Sequence, residues 1–148
     1  MHRLDIVLYL AHPVFLKDEV RAWEIEAEKR LGILFFNPFF DKEDKGIKMI
    51  DDDKTGKLLY DRSSLPSNEI VPPDLCIINN CNGLIGIFTD KPSAGTPMEF
   101  FYSAHDKRFP TFAMTKEKFI SPWMKYFCYE GNVARSYEEL EAQIKGFL

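Results

Sequence analysis

The chain reads as an α/β fold in which an open, mostly parallel sheet of about five strands is flanked by helices. Three observations predict this. Short apolar runs of strand length recur at residues 6–10, 33–36, 83–88 and 110–114. Amphipathic, helix-length segments alternate with them, the pattern of strand–helix–strand units. The length of 148 residues, with 45% hydrophobic and 28% charged residues, suits one globular domain spanning 1–148.

Ile6-Val7-Leu8-Tyr9-Leu10 is compact and β-branched, as a buried parallel strand should be, and Pro13 ends it in a loop at 11–16. Residues 17–31 form a helix whose apolar stripe is Val20, Trp23, Ala27 and Leu31, with Glu24, Glu26 and Glu28 off the stripe. Gly32 is its natural C-cap, and 33–36 is the second strand. Residues 37–67 are rich in Asp, Glu and Lys and read as a surface excursion, anchored by Phe39, Phe40, Ile47, Met49 and Ile50. Within it, Asp51-Asp52-Asp53 reads as solvated chain, because the other ligands of a metal loop are missing. A helix is expected after Pro72-Pro73, then the third strand at 83–88.

Residues 89–95 form a polar loop, followed by a helix over 97–106 with Thr96 as N-cap and Pro97 at its first position. The fourth strand is 110–114, a short helix lies at 121–126 and a last short strand at 128–133. Ser136-Tyr137-Glu138-Glu139 has capping-box spacing, and Leu140, Ile144 and Leu148 stripe the final helix. The order is that of a flavodoxin-like or Rossmann-like sheet, whose ligands lie at the carboxyl ends of the strands. That rule singles out the loops 11–16 and 89–96.

Composition narrows the function. A net charge of −4 argues against a general nucleic-acid binder, which presents a basic face to phosphates. Cys76, Cys81 and Cys128 are odd in number and lack zinc-ligand spacing; they read as buried or half-buried thiols in a reducing, cytoplasmic setting. The start, with Arg3 and Asp5, is not a signal peptide, and no run of about 18 apolar residues spans a membrane.

The chemistry concentrates in Ser93-Ala94-Gly95-Thr96-Pro97-Met98-Glu99. Gly95 can approach a ligand closely or take a positive φ. Thr96 and Glu99 spell T-x-x-E, so Glu99 has two readings: the reciprocal partner of a capping box, or a carboxylate at the sheet edge able to attack an anomeric carbon.

This segment resembles the nucleoside 2-deoxyribosyltransferase superfamily, which includes deoxynucleoside 5'-monophosphate glycosidases. Four matches in order carry the resemblance over residues 6–114. Val7-Leu8-Tyr9-Leu10-Ala11-His12-Pro13 looks like the family's opening Y-[IL]-A-G-P. Asp74 through Gly83 looks like its helix D-x-x-x-I-x-x-C-D-x. The strand 83–88 follows, and then Ser93 to Glu99 resembles [DS]-x-G-T-x-x-E.

The resemblance implies that Glu99 is a nucleophile forming a covalent deoxyribosyl intermediate, that Asp74 protonates the leaving base and that Tyr9 positions the nucleophile or sugar. It implies that Ala11, His12, Pro13, Ser93, Gly95 and Thr96 line the substrate site. Without it, Asp74 is a helix-N-terminal carboxylate and Tyr9 a packed strand residue.

Three departures stand out: His12 where the family often has Gly, Asn82 where an acid is common, and Ser93 where transferases of free nucleosides often have Asp. A neutral serine can donate to a 5'-phosphate without like-charge repulsion, which favours a nucleotide. The base would sit among aromatic side chains, with Phe15, Phe36, Phe39, Trp123 and Tyr126 as candidates.

The expected substrate is a small nucleoside or nucleotide, and the sugar passes to water or to a second base. No metal or organic cofactor is implied, and a homodimer or larger homo-oligomer is. The competing reading is a non-catalytic nucleotide-binding or sensing domain on the same fold. A flavin-type electron carrier would need a Ser/Thr/Gly-rich phosphate loop after the first strand, which Ala11 to Phe15 does not provide.

Overall fold

The computed structural model describes residues 5–44, 47–50, 66–91 and 93–148, with the backbone alone at 42–44, 47–50 and 69. The first apolar run forms β1 (Val7–Ala11). A 3-10 turn (Val14–Leu16) leads into α1 (Lys17–Leu31). Helix α1 ends as expected: Gly32 adopts φ 68° and donates its N–H to the Glu28 carbonyl at 2.9 Å. Next come β2 (Leu34–Phe36), a hairpin of β3 (Asp41–Asp44) and β4 (Ile47–Ile50), α2 (Ser67–Asn79) and β5 (Gly83–Phe88). Helix α3 (Gly95–Phe101) continues as a π-helical turn (Tyr102–Asp106), followed by β6 (Thr111–Thr115), α4 (Pro122–Phe127) and α5 (Tyr137–Phe147).

The main sheet is parallel throughout, in the order β2-β1-β5-β6. The expected fifth strand at 128–133 is replaced by a 3-10 turn (Tyr129–Gly131) and a single parallel bridge from Ala134 to Met114 beyond β6. Glu130 and Gly131 have φ of 55° and 68°, values no strand can use. With that bridge, the sheet keeps the flavodoxin-like order, and the strand order reverses between β1 and β5.

Alternation along the strands assigns the two faces. Leu8, Leu10, Ile85, Ile87, Phe112 and Met114 pack with α1 and α5 residues, including Val20, Trp23, Leu140 and Ile144. Tyr9, Ala11, Leu84 and Ala113 point the other way, into a second core with Ile78, Phe100 and Cys128. A one-residue slip of β1 would turn Tyr9 away from that second face. Both faces are buried, which explains the uninterrupted apolar strands.

Two helices depart from expectation. Helix α2 starts well before the prolines, after Pro66, and contains Pro72 and Pro73 in its interior. Prolines there withhold two helical N–H donors, and the apolar residues Leu75 and Ile78 packed into the second core hold the helix together. Asp74 is therefore mid-helix, and its reading as a helix-start carboxylate is overturned.

Helix α3 starts at Gly95 after Ala94, with no side-chain cap, so Thr96 is a buried interior residue and Pro97 is not at the first position. Cys76 is exposed, unlike buried Cys81 and Cys128, because it lies on the outer side of α2. Burial pushes the Cys128 thiol up. Asp51-Asp52-Asp53 lies outside the described residues. No helix among the described residues is long and apolar enough to cross a membrane.

Candidate active site

The T-x-x-E capping box at 96–99 does not form. Instead the Tyr9 hydroxyl, ninety residues away in sequence, donates to Glu99 Oε2 at 2.5 Å. Tyr9 is fully buried, stacked on Phe36 with ring centroids 6.0 Å apart, so the phenol is a rigid donor. Hydrogen bonds to a carboxylate are about twice as strong as neutral ones, and this one orients Glu99. Helix α3 reaches this position because Gly86 leaves room beneath it: a Cβ there would stand 2.8 Å from Phe88 and 3.0 Å from Phe100.

Glu99 and Asp74 line the same cavity of about 360 Å³, between α2 and α3, with Gly95, Met98 and Tyr102 among its walls. Both carboxylates are partly buried. A Cβ built on Gly95 would stand 3.8 Å from Glu99 Oε1, so that oxygen faces the start of α3. Gly95 has no positive φ; what it contributes is its small size. Tyr102, in the π-helical turn, donates to Asn79 Oδ1 at 2.8 Å and ties α3's continuation to α2. Single π turns inside helices often mark functional sites.

A second cavity, of about 220 Å³, is formed where the two loops meet and is lined by Pro13, Thr89, Asp90, Lys91, Ser93 and Thr96 among others. Ser93 and Thr96 hydroxyls lie 3.4 Å apart. Lys91 places its ammonium 4.8 Å from the centroid of the Phe15 ring, a cation–π contact across the two loops. The first turn of α3 thus contributes Gly95 and Glu99 to one cavity and Thr96 and Pro97 to the other.

The structure therefore brings Glu99, Tyr9, Asp74 and Gly95 together on one side, and Pro13, Ser93 and Thr96 on the other. Ala11 and His12 line neither cavity. Ala11 is buried in the second core, and His12 is only 4% exposed. The imidazole Nε2 lies 3.0 Å from Asn37 Oδ1 and Nδ1 lies 3.1 Å from the Pro13 carbonyl. Burial holds the His12 pKa below its ordinary value of 6.5, against the raising effect of both contacts.

Asn37 in turn donates to Glu24 Oε1 at 2.8 Å, which also accepts from Arg21 at 2.9 Å; Arg21 reaches Asp41 at 3.3 Å. Sequence reasoning missed this buried polar cluster. It placed Glu24 off the apolar stripe, yet Glu24 has no exposed surface. A buried carboxylate must be paired, and the only hint was Arg21 three residues before it.

None of the five proposed base-stacking aromatics lines the Asp74–Glu99 cavity; Phe101 and Tyr102 do. Trp123 instead lines a separate apolar cavity of about 310 Å³ with Phe88, Phe100 and Phe127. Tyr102 could have been found as the aromatic three residues after Glu99, and Phe101 as the one three residues after Met98, on the same helical face.

No protein-family model matches the sequence, and no curated protein matches it. Solved structures do. The 2-deoxyribosyltransferase of Bacillus psychrosaccharolyticus is 16% identical, with a TM-score of 0.63 over 91% of this chain and 90% of that one. The 2-deoxyribosyltransferase of Leishmania mexicana is 14% identical, with a TM-score of 0.62 over 95% and 97%. A conserved protein of Enterococcus faecalis V583 is 20% identical, with a TM-score of 0.63 over 97% and 99%. The four-stranded parallel sheet and its flanking helices are thus the fold of the 2-deoxyribosyltransferases.

Proposed function

We propose that this chain cleaves the N-glycosidic bond of 2'-deoxynucleosides or their 5'-monophosphates through a covalent deoxyribosyl–Glu99 intermediate. The observation that carries this reading is the Tyr9–Glu99 hydrogen bond on a cavity that Asp74 also lines. A glutamate spent on its own helix terminus could not serve as a nucleophile; this one is withdrawn from that role and held by a fixed phenol.

In the reaction, a Glu99 oxygen attacks C1' while the bond from C1' to the base nitrogen breaks, its electron pair leaving with the base. Asp74 supplies the proton that neutralises the departing base. Water or a second base then attacks C1' and releases the Glu99 carboxylate, and Asp74 recovers its proton from that nucleophile. The Lys91–Ser93 cavity suits the 5' end: an ammonium and the hydroxyl residues Thr89, Ser93 and Thr96 favour a phosphate there, although Asp90 offsets part of the charge.

Two further features support the wider reading. The exposed Trp123 and Tyr126, grouped with Pro122 and Phe127, form an apolar surface of the kind that self-associating proteins bury, consistent with a homo-oligomer. The three free cysteines suit a cytoplasmic setting.

The test is a chromatographic base-release assay on each deoxynucleoside and deoxynucleoside 5'-monophosphate, with and without a second free base, beside Glu99→Ala. Release from monophosphates marks a nucleotide hydrolase, and base exchange marks a transferase. If wild type and variant are equally inert, the enzymatic reading fails and a binding domain is left.

A further inference from the structure

The cluster around Asn37 is buried, polar and set at the carboxyl edge of the sheet, yet it touches neither cavity directly. Asn37 follows β2 immediately and is fully buried. Its carboxamide has one workable orientation. Nδ2 faces the Glu24 carboxylate at 2.8 Å, which can only accept, and Oδ1 faces the Phe39 N–H at 3.1 Å, which can only donate. Oδ1 must therefore also accept from His12 Nε2 at 3.0 Å, which places a proton on Nε2. Asn37 is itself pinned: its backbone N–H donates to Asp41 Oδ2 at 2.8 Å, and its carbonyl accepts from Phe40 and Asp41.

The His12 ring passes this order to the first loop. His12 continues directly into Pro13, which lines the Lys91–Ser93 cavity; the Pro13 carbonyl accepts the Leu16 N–H at 3.1 Å and lies 3.1 Å from His12 Nδ1, which in the Nε2–H ring has no proton to give, so the ring's order reaches the loop through the backbone. The same loop carries Phe15, against which Lys91 rests. Lys91 is the one cationic side chain among the residues described as lining that cavity. A chain of fixed contacts thus runs from Asn37 through His12 and the Pro13–Phe15 loop to the lysine that faces the proposed 5'-phosphate.

We propose that Asn37 is a positioning residue that sets affinity for the 5'-phosphate by orienting His12 and the loop beneath Lys91. The inference rests on the proposed function for its ligand. It predicts a selective effect: loss of the Asn37 side chain weakens binding of a deoxynucleoside 5'-monophosphate and spares the matching deoxynucleoside.

Calorimetric titration reads this without any chemistry. The Glu99→Ala protein and the Glu99→Ala, Asn37→Ala protein are each titrated with the four 2'-deoxynucleoside 5'-monophosphates and with the four deoxynucleosides. The expected result is a Kd about tenfold higher for monophosphates in the double variant, from loss of loop preorganisation, with deoxynucleoside Kd values changed less than about twofold. Equal weakening of both ligand types, or no change, overturns the inference while leaving the proposed function intact. If the Glu99→Ala protein binds no monophosphate at all, the nucleotide reading of the site fails and the inference falls with it.

Should the double variant not fold, the ring nitrogens of His12 in the Glu99→Ala protein decide, by nitrogen-15 NMR. The expected signature is a proton on Nε2 together with a ring signal that shifts on adding monophosphate but not deoxynucleoside. A proton on Nδ1 alone, or a ring insensitive to monophosphate, overturns the proposal.

Discussion

The chain carries the same local pattern twice, and it has two different outcomes. At the start of α5, Ser136 accepts from the Glu139 N–H at 3.1 Å, while Glu139 Oε2 accepts from the Arg135 N–H at 2.7 Å, so serine and glutamate together close the helix end. At the start of α3, Thr96 is buried inside the helix and Glu99 turns to a tyrosine on a distant strand. Residues three apart with capping chemistry form a cap when nothing else reaches the carboxylate. Where a tertiary partner does, the local rule breaks, and such breaks mark functional positions.

Substituting the two glutamates should separate these roles most sharply. Under the proposed function, Glu99→Ala is expected to lower base release by roughly a thousandfold or more while the protein stays folded, because the proposed nucleophile would have no substitute. Glu139→Ala should leave base release unchanged and cost up to about 1 kcal/mol of stability, read from denaturant midpoints.

Tyr9→Phe removes the donor but keeps the ring on Phe36. The expected loss is about ten- to a hundredfold in kcat, the worth of one hydrogen bond to a charged group. An unchanged kcat would return Tyr9 to a packing role. Gly86→Ala addresses the seat of α3, since its methyl must displace the Phe88 and Phe100 rings. About 1–3 kcal/mol of stability should be lost, with a fall in activity as Phe100 carries its neighbour Glu99 away.

The smallest effect concerns pH. The folded protein holds the His12 pKa below 6.5, mainly through burial. Below 6.5 the unfolded chain takes up a proton that the folded ring resists, so stability should fall as pH drops through 6.5 toward the folded pKa. Denaturant unfolding at about pH 7.5 and about pH 5.5 measures the step, and His12→Gln should flatten it.

Much of the fold was legible because local and global preferences agree. The stripe of α1, its Gly32 cap, the Ser136 cap and the apolar strands each followed from nearest neighbours in sequence. The start of α2 was not legible: prolines normally open helices, and only the contact of Leu75 and Ile78 with the second core explains a helix that runs through them. The buried Arg21–Glu24–Asn37–Asp41 cluster was hidden for a similar reason, since its members come from separate elements. In the candidate site, the resemblance pointed to Glu99, Asp74 and Tyr9, the last as the residue that positions the nucleophile or sugar. The pairing of Glu99 with Tyr9 depends on β1 lying beside β5 under α3, which no local pattern encodes.

The single bridge at Ala134 has a consequence for the protein's behaviour in crowded solution. Ala134 donates to the Ala113 carbonyl and accepts from the Thr115 N–H, so one residue occupies the outer hydrogen-bonding rim of β6. The opposite rim, β2, is only three residues long. Neither side offers a passing chain a long template for strand addition. Changes that loosen the segment between α4 and α5 would bare the apolar strand Thr-Phe-Ala-Met-Thr at 111–115, and aggregation should then precede any loss of the Tyr9–Glu99 geometry.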